Sequence, residues 1–323
     1  MLKIRKYLGK YKFIQRLYHI IFYFHPRYFF SDTLKGYKKW NTIMPIFISK
    51  EMKIRIDMLK TLNQKKDVLK ISNEGFAILD SQVNLLKPAV DVALKIMANS
   101  GIYHSDYNQL KSEYKKPFLC VQKIDLNADN NAPIKKIITS SEILLPVANY
   151  LNHIPILANA QLLYSPNKEM EDGRSQQWHL DGGDGKNIKV FIALEDINKD
   201  QGPFTFITKS LSNSIYKSLY NLTIVSKRNY KVSDENFYHF CKESDVIVGT
   251  MKKNTAIFID TDSCYHYGSR PAHRPRMLLE LEYRLAFSRD RNFSLFDRKY
   301  LKGNFNTLSN DQKIEKLVFD SRF

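Results

Sequence analysis

The chain has 323 residues, 43% of them hydrophobic, so it can bury a sizeable core and wholesale disorder is excluded. Lysine and arginine number 50 against 33 acidic residues, and the resulting net charge of +17 favours an anionic partner. Candidate partners are a phosphorylated or carboxylated substrate, a membrane surface and nucleic acid, and of these we do not expect nucleic acid. A bias of the whole composition toward Lys, Asn, Ile and Tyr explains the positive charge equally well.

The cysteines and the hydropathy pattern point to a protein of the reducing cytoplasm. Three cysteines at wide spacing, Cys120, Cys241 and Cys264, predict neither a zinc site nor a disulfide framework. No run of 18 apolar residues predicts a membrane-spanning helix, and the N-terminus lacks the pattern of a secretion signal.

The first 40 residues form a basic and aromatic arm. A helix in this arm would be amphipathic in places, and peripheral contact with an anionic membrane through residues 1–40 is one interpretation. The simpler interpretation, which we favour, is that its aromatic side chains pack on the main domain. We expect the arm and helices packing on the core in residues 1–72, the main domain in residues 73–290 and a C-terminal extension in residues 291–323.

The hydrophobic periodicity predicts helices first and strands later. In chain order, it predicts a helix at 50–72, a strand at 76–79, a helix at 84–98, a strand at 118–124 and a helix at 140–151. Strands then follow one another at 156–164, 188–194, 204–207, 246–248, 255–259 and 277–287, with a helical or irregular insert at about 209–243 and a short helix at 310–319. Short strands separated by turn residues predict a mainly β sandwich or barrel with flanking helices.

A His-x-Asp sequence carries the clearest chemical signal. In Trp178-His179-Leu180-Asp181, the imidazole and the carboxylate are two positions apart, so on an extended chain they point to the same side. The following glycines also fit an ordinary surface loop, which is the default for an isolated motif of this kind. Asp184 is a rival carboxylate, but its spacing from His179 does not place both side chains on one strand face.

A second histidine and an arginine follow at suitable places. His266 comes directly after the strand at 255–259, and it would complete a two-His-one-carboxylate set of the kind that holds Fe(II) with open positions. Arg276 opens the last strand, where a guanidinium could hold the far carboxylate of an oxoacid. Inward alternation would also place Glu280 and Glu282 on the face of Arg276, so we expect a bulge to break that register.

Together these residues resemble a known family. The segments Gln177-Trp178-His179-x-Asp181, Lys189–Leu194 and Gln201-Gly202-Pro203-Phe204, followed by His266-x-Gly268 and Arg276, are similar to the phytanoyl-CoA dioxygenase family of Fe(II)/2-oxoglutarate oxygenases. The resemblance covers residues 73–290. It implies a double-stranded β-helix (jelly-roll, cupin-like) core.

The resemblance also implies a set of site residues and cofactors. His179, Asp181 and His266 would bind Fe(II), and Arg276 would bind 2-oxoglutarate, with ascorbate as a supporting reductant. Gln161 and Trp178 are expected to line the cofactor pocket. The segment Ile207–Leu211 departs from the family, which often has a histidine there.

The reaction and the substrate are expected only in outline. Retention of Asp181 favours hydroxylation over halogenation, because the halogenases of this fold have a small residue at that position. We expect a small-molecule or lipid- or glycan-linked substrate that is anionic. The alternative is a non-catalytic or membrane-associated β-barrel binding protein of the same fold.

Overall fold

The structure is a computed structural model that describes residues 49–63, 68–79, 84–102, 105–168, 175–182, 186–222, 224, 231–288 and 305–319. The chain divides into two units, Met1–Ser49 and Lys50–Phe323, and the fold described is that of the second. The basic arm of residues 1–40 and the rival carboxylate Asp184 lie outside the described residues. Membrane contact through the arm therefore stays a prediction.

The described helices precede, interrupt and follow the strands. They are α1 (Ser49–Leu62), α2 (Lys87–Asn99), α3 (Tyr107–Glu113), α4 (Ala132–Thr139), α5 (Ser141–Leu151), α6 (Lys209–Asn221), α7 (Asp234–Tyr238) and α8 (Asn310–Phe319). None of these helices is long and apolar enough to cross a membrane.

Six strands form a larger, antiparallel sheet. They are β1 (Phe76–Leu79), β2 (Cys120–Lys123), β3 (Ile156–Ser165), β4 (Asn187–Ala193), β7 (Ala256–Asp260) and β9 (Arg276–Arg284). Their order in the sheet is β1-β7-β4-β9-β3-β2, so the two longest pairings place β9 between β3 and β4.

Three short strands form a smaller sheet, in the order β6-β5-β8. They are β5 (Phe204–Phe206), β6 (Ile247–Gly249) and β8 (His266–Tyr267). His179 extends this sheet by one more position, because its backbone N–H donates to the carbonyl of His266 and its carbonyl accepts from the N–H of His266, both at 3.0 Å. The His-x-Asp segment thus lies beside β8, and on its other side Trp178 forms an antiparallel bridge with Val232.

The chain alternates between the two sheets. From β3 it crosses to the His179 segment, returns to β4 and crosses to β5 and β6. It then returns to β7, crosses to β8 and ends at β9 in the larger sheet. Two antiparallel sheets connected in this alternating way form a double-stranded β-helix, as the resemblance implies. Their facing apolar side chains, among them Leu163, Phe191, Phe206 and Leu278, form the core between the sheets.

A helical layer covers the back of the larger sheet. Ile314, Leu317 and Val318 of α8 are buried, and α8 contacts both β3 and α4. Arg55 of α1 is fully buried and donates hydrogen bonds to the carbonyl oxygens of Ile154 (2.9 Å) and Leu317 (2.8 Å). The guanidinium therefore ties α1, the start of β3 and α8 together.

Most predicted elements are present, but several differ. The helix predicted at 50–72 ends at Leu62, and α3, α4 and the short strand β8 were not predicted. The bulge expected in the last strand is also wrong: β9 keeps its register, and the shift lies in its neighbour β3, between Leu157 and Asn159. The boundaries proposed at residues 72 and 290 stay predictions.

Candidate metal centre

Three side chains converge at the junction of the His179 segment and β8. The Nε2 atoms of His179 and His266 lie 3.6 and 3.7 Å from the same carboxylate oxygen, Oδ1 of Asp181. The ligand atoms of the three residues all fall within 4.8 Å of one another. This spacing fits three ligands around one cation, in the two-His-one-carboxylate arrangement.

Both imidazoles are oriented by the backbone. The Nδ1 atom of His179 donates to the Gln177 carbonyl (2.8 Å), and the Nδ1 atom of His266 donates to the Cys264 carbonyl (2.9 Å). Because a carbonyl can only accept, each proton resides on Nδ1 and each Nε2 keeps a lone pair for a metal. Burial and the adjacent His179 lower the pKa of His266, which also favours the neutral, metal-binding form.

Lys189 of β4 holds the other oxygen of the carboxylate ligand. Its Nζ lies 2.9 Å from Oδ2 of Asp181. Burial acts to raise the Asp181 pKa, but Lys189 and the two imidazoles outweigh it and hold that pKa well below its usual range. The carboxylate is therefore ionised, with Oδ2 occupied by Lys189 and Oδ1 directed at the histidines, which suits binding through one oxygen.

Arg276 is buried in the same region without a carboxylate partner among the described residues. Its Nη1 donates to the Gly202 carbonyl (2.7 Å), and its Nη2 donates to the hydroxyls of Ser269 (3.0 Å) and Ser165 (3.2 Å). Its Nε is buried and has no hydrogen-bond partner in the structure. Burial lowers the pKa of Arg276 to about 10, which still leaves the guanidinium charged at neutral pH.

Gly202 explains why a Gln-Gly-Pro sequence stands at this turn. Its φ of +55° is a left-handed conformation that favours glycine, and a Cβ there would lie 2.7 Å from the Arg270 carbonyl oxygen. The turn therefore brings the Gly202 carbonyl to Arg276.

An inner cavity of about 90 Å³ joins the metal ligands to Arg276. Its walls include His179, Asp181, His266, Arg276 and Gly268. An outer cavity of about 640 Å³ shares His179, Asp181 and Lys189 with it. His179 and Asp181 thus lie where a small inner space meets a larger one, and His266 lines the inner space.

The structure separates the two predicted pocket residues. Gln161 of β3 lines the outer cavity and donates a hydrogen bond to Glu280 (2.9 Å). Trp178 lines neither cavity, which corrects the prediction for it: its fully buried ring stacks on Phe237, with centroids 3.9 Å apart. The reason is the strand alternation itself, because the neighbour of His179 must point to the opposite face.

Lys189, Glu280 and Glu282 were not recognised as site residues, yet all three line the outer cavity. Burial acts to lower the pKa of Lys189, but the carboxylates of Asp181, Glu280 and Glu282 outweigh it and raise that pKa. The sequence does contain a signal for Lys189 as a site residue: it lies two positions before Phe191, and so on the inward face of an otherwise apolar strand.

No protein-family model and no curated protein matches the chain. Among solved structures, EctD from S. alaskensis in its apo form is 14% identical, with 66% of this chain and 74% of that chain covered and a TM-score of 0.46. The epimerase SnoN, in complex with Fe3+, alpha ketoglutarate and nogalamycin RO, is 13% identical over 71% of this chain and 84% of that chain, with a TM-score of 0.38. HygX from Streptomyces hygroscopicus with nickel and 2-oxoglutarate bound is 10% identical over 66% and 83%, with a TM-score of 0.44.

Two of these three structures contain a metal ion and 2-oxoglutarate: SnoN holds iron, and HygX holds nickel. Identities of 10–14% with TM-scores below 0.5 do not establish a shared activity. By its own strand order and side chains, the chain is a double-stranded β-helix protein with a two-His-one-carboxylate cluster at the end of its smaller sheet.

Proposed function

We propose that the protein is an Fe(II)- and 2-oxoglutarate-dependent dioxygenase that hydroxylates an unactivated C–H bond of a small substrate. One observation carries the proposal: a cluster of two imidazoles and one carboxylate shares a cavity of about 90 Å³ with a buried arginine that has no carboxylate partner among the described residues. A single set of metal ligands is compatible with several functions. When the set lies beside a buried guanidinium that has no carboxylate partner among the described residues, it suits a metal-chelating ligand that also carries a distant carboxylate.

The donor set fits Fe(II). Two imidazole nitrogens and one carboxylate oxygen, all on one side, leave coordination positions open for a co-substrate and dioxygen. With these bound, iron supplies oxidation of a C–H bond that no acid or base in a protein can activate. The residues of the chain bind, orient and shield: the backbone carbonyls fix both imidazoles, and Lys189 fixes the carboxylate.

Arg276 fits the far carboxylate of 2-oxoglutarate. Its guanidinium is 3% exposed, so an anion reaching it would be held in a region from which bulk water is excluded, where a charge-assisted hydrogen bond is strongest. Gly268 lies beside it in the wall, and a Cβ at that position would lie only 3.4 Å from Nη2 of Arg276. The glycine thus leaves one side of the guanidinium open.

The alternative is a binding protein of the same fold without catalysis. The complete set of metal ligands disfavours it, because these ligands share a cavity with a buried Arg276 that has no carboxylate partner among the described residues. Contact of residues 1–40 with a membrane is compatible with either function and stays a prediction.

Binding and turnover measurements separate these functions. We expect the protein to bind one Fe(II), to bind 2-oxoglutarate far more tightly with metal than without, and to release succinate slowly even without substrate. His266→Ala should lose metal binding, whereas His239→Ala, which changes an exposed histidine, should not. Metal binding that survives His266→Ala, or metal-loaded protein that neither binds 2-oxoglutarate nor forms succinate, would contradict the proposal.

A further inference from the structure

The outer cavity has a polar wall where a channel for an alkyl chain would be apolar. Three aliphatic side chains line it, Leu119, Val121 and Leu163. Most of the other residues that line it carry a polar or charged group, including two carboxylates of β9, three amides of β3 and β4, and lysines toward the outside. A substrate whose C–H bond reaches the metal ligands must lie against this wall, since the outer cavity contains His179 and Asp181.

The two carboxylates of the wall differ in their hydrogen bonds. Glu282 is saturated: one oxygen accepts from Asn159 (2.8 Å), and the other accepts from Asn187 (3.0 Å) and Arg284 (2.8 Å). Its partners are therefore all within the protein, and Glu282 holds the three strands β3, β4 and β9 together.

Glu280 is only half satisfied. One of its oxygens accepts from Gln161 (2.9 Å), and among the described residues its second oxygen accepts no hydrogen bond. The residue is 5% exposed and lines both the inner and the outer cavity. A carboxylate that is nearly buried and half satisfied requires a donor from somewhere else, and the cavity is the space beside it.

The outside of the same cavity is positive. Lys115, Lys116 and Lys231 line it, and all three are exposed. A ligand spanning the cavity thus meets a hydrogen-bond acceptor near the metal ligands and ammonium groups toward the solvent. An alkyl chain would cover Glu280 without offering a donor, so the carboxylate would lose its remaining water without compensation.

Resting on the proposed function, we infer that the substrate is a hydroxyl-rich small molecule with an anionic group, such as a phosphorylated sugar. Its hydroxyl groups donate to Glu280 and Gln161, and its anionic group contacts the lysines at the outside. The cavity volume of about 640 Å³ falls in the usual range for ligands of this size. The inference excludes a fatty acyl chain as the part that is oxidised.

Binding of three probes to the whole chain tests this inference. The protein is loaded with Ni(II) and 2-oxoglutarate, and that loading is measured first, because its failure would be the failure of the proposed function and not of this inference. Glucose 6-phosphate, glucose and octyl phosphate are then titrated by calorimetry. We expect glucose 6-phosphate to bind at least about tenfold more tightly than either of the others. Glucose lacks the phosphate that contacts the lysines, and octyl phosphate lacks the hydroxyl groups that donate to Glu280 and Gln161.

Each other outcome overturns a stated part of the inference. Octyl phosphate binding as tightly as glucose 6-phosphate would overturn the role of the polar wall. Glucose binding equally well would overturn the role of the lysines. Loaded protein that binds none of the three, nor ribose 5-phosphate as a smaller phosphorylated sugar, would overturn the assignment of the substrate class.

A pair of glutamine variants provides a second test. Gln161 and Gln122 lie on neighbouring strands, but Gln122 pairs with Leu162, so its side chain is on the other face of the sheet and outside the cavity. Gln161→Leu should weaken the binding of glucose 6-phosphate about tenfold and leave that of octyl phosphate unchanged, whereas Gln122→Leu should change neither. Equal effects of the two substitutions would contradict the inference, and thermal melting of each variant establishes that it is folded.

Discussion

Two buried arginines, in two regions of the molecule, have opposite environments. Arg55, behind the larger sheet, forms an ion pair with the buried Glu51 (2.9 Å) and donates to backbone carbonyls of two other elements. Arg276, inside the barrel, contacts only a carbonyl and two hydroxyls, and no carboxylate among the described residues. Both side chains are almost completely removed from water.

The difference between them separates a structural charge from a binding charge. Burying an ion lowers the stability of the folded protein by several kcal/mol unless a counter-ion and hydrogen bonds compensate for the lost hydration. The folded chain supplies the compensation to Arg55. The described residues supply no counter-ion to Arg276, so an anionic ligand would gain binding free energy by pairing with this charge.

Removing the charge of Arg55 should have the largest effect. Arg55→Leu breaks the buried ion pair with Glu51 and the hydrogen bonds to the carbonyls of Ile154 and Leu317, so the free energy of unfolding should fall by about 3–5 kcal/mol. Urea denaturation measures this, with Lys53→Leu, an exposed position of the same helix, as the control. A loss below 1 kcal/mol, roughly that of an exposed pair, would mean that this arginine is not the structural one.

The same substitution at Arg276 should act on binding and spare the fold. Arg276→Leu should weaken 2-oxoglutarate binding by about 2–5 kcal/mol, since the ligand carboxylate loses its buried partner. The free energy of unfolding should stay level or rise, because an uncompensated buried charge is removed. Calorimetry on the metal-loaded protein measures the first effect, with the exposed Arg274→Leu as control. Unaltered affinity would remove the distinction between the two regions.

A smaller effect is expected from a histidine near Arg55. Burial, and then the Arg55 charge, lower the pKa of His153 to about 3, and its Nε2 accepts a hydrogen bond from the Ala286 amide. An unfolded chain binds this proton below about pH 6.5, whereas the folded protein stays neutral down to about pH 3. Stability contributed by the neutral ring is therefore present above pH 6.5 and declines as the pH falls through that window.

The measurement compares metal-free wild-type protein with His153→Gln. Between pH 7 and pH 5, the wild type should lose about 2 kcal/mol more of its free energy of unfolding, because the glutamine does not titrate. His239→Gln, at an exposed position, should follow the wild type. Parallel pH profiles for wild type and His153→Gln would show that burial of this ring does not contribute.

The sequence predicted the parts of the molecule that depend on local pattern. The two-residue period places His179 and Asp181 on one side, and the apolar runs mark most strands within a few residues. The same period, applied one residue earlier, would have excluded Trp178 from the cavity. That error came from following the resemblance where the alternation already gave the answer.

Other features depend on which strands become neighbours. Lys189 contacts Asp181 because β4 lies between β7 and β9 in the larger sheet and faces the His179 segment. The sequence of β4 by itself does not predict this strand order. Glu280 and Glu282 seemed incompatible with an inward face. They are accommodated there because Asn159, Gln161 and Lys189 come from the two flanking strands, which a one-dimensional pattern does not reveal.

The charges around the inner cavity have a consequence for how its ligands bind. Its ionisable side chains other than the histidines are Asp181, Glu280, Lys189 and Arg276, two acids and two bases. A divalent cation alone, or a dianion alone, would add a double charge to a poorly solvated space, whereas the two together add no net charge. Under the proposed function, metal and 2-oxoglutarate should each raise the affinity for the other by the same factor. Equal 2-oxoglutarate affinity with and without Ni(II) would show that the two sites are energetically independent.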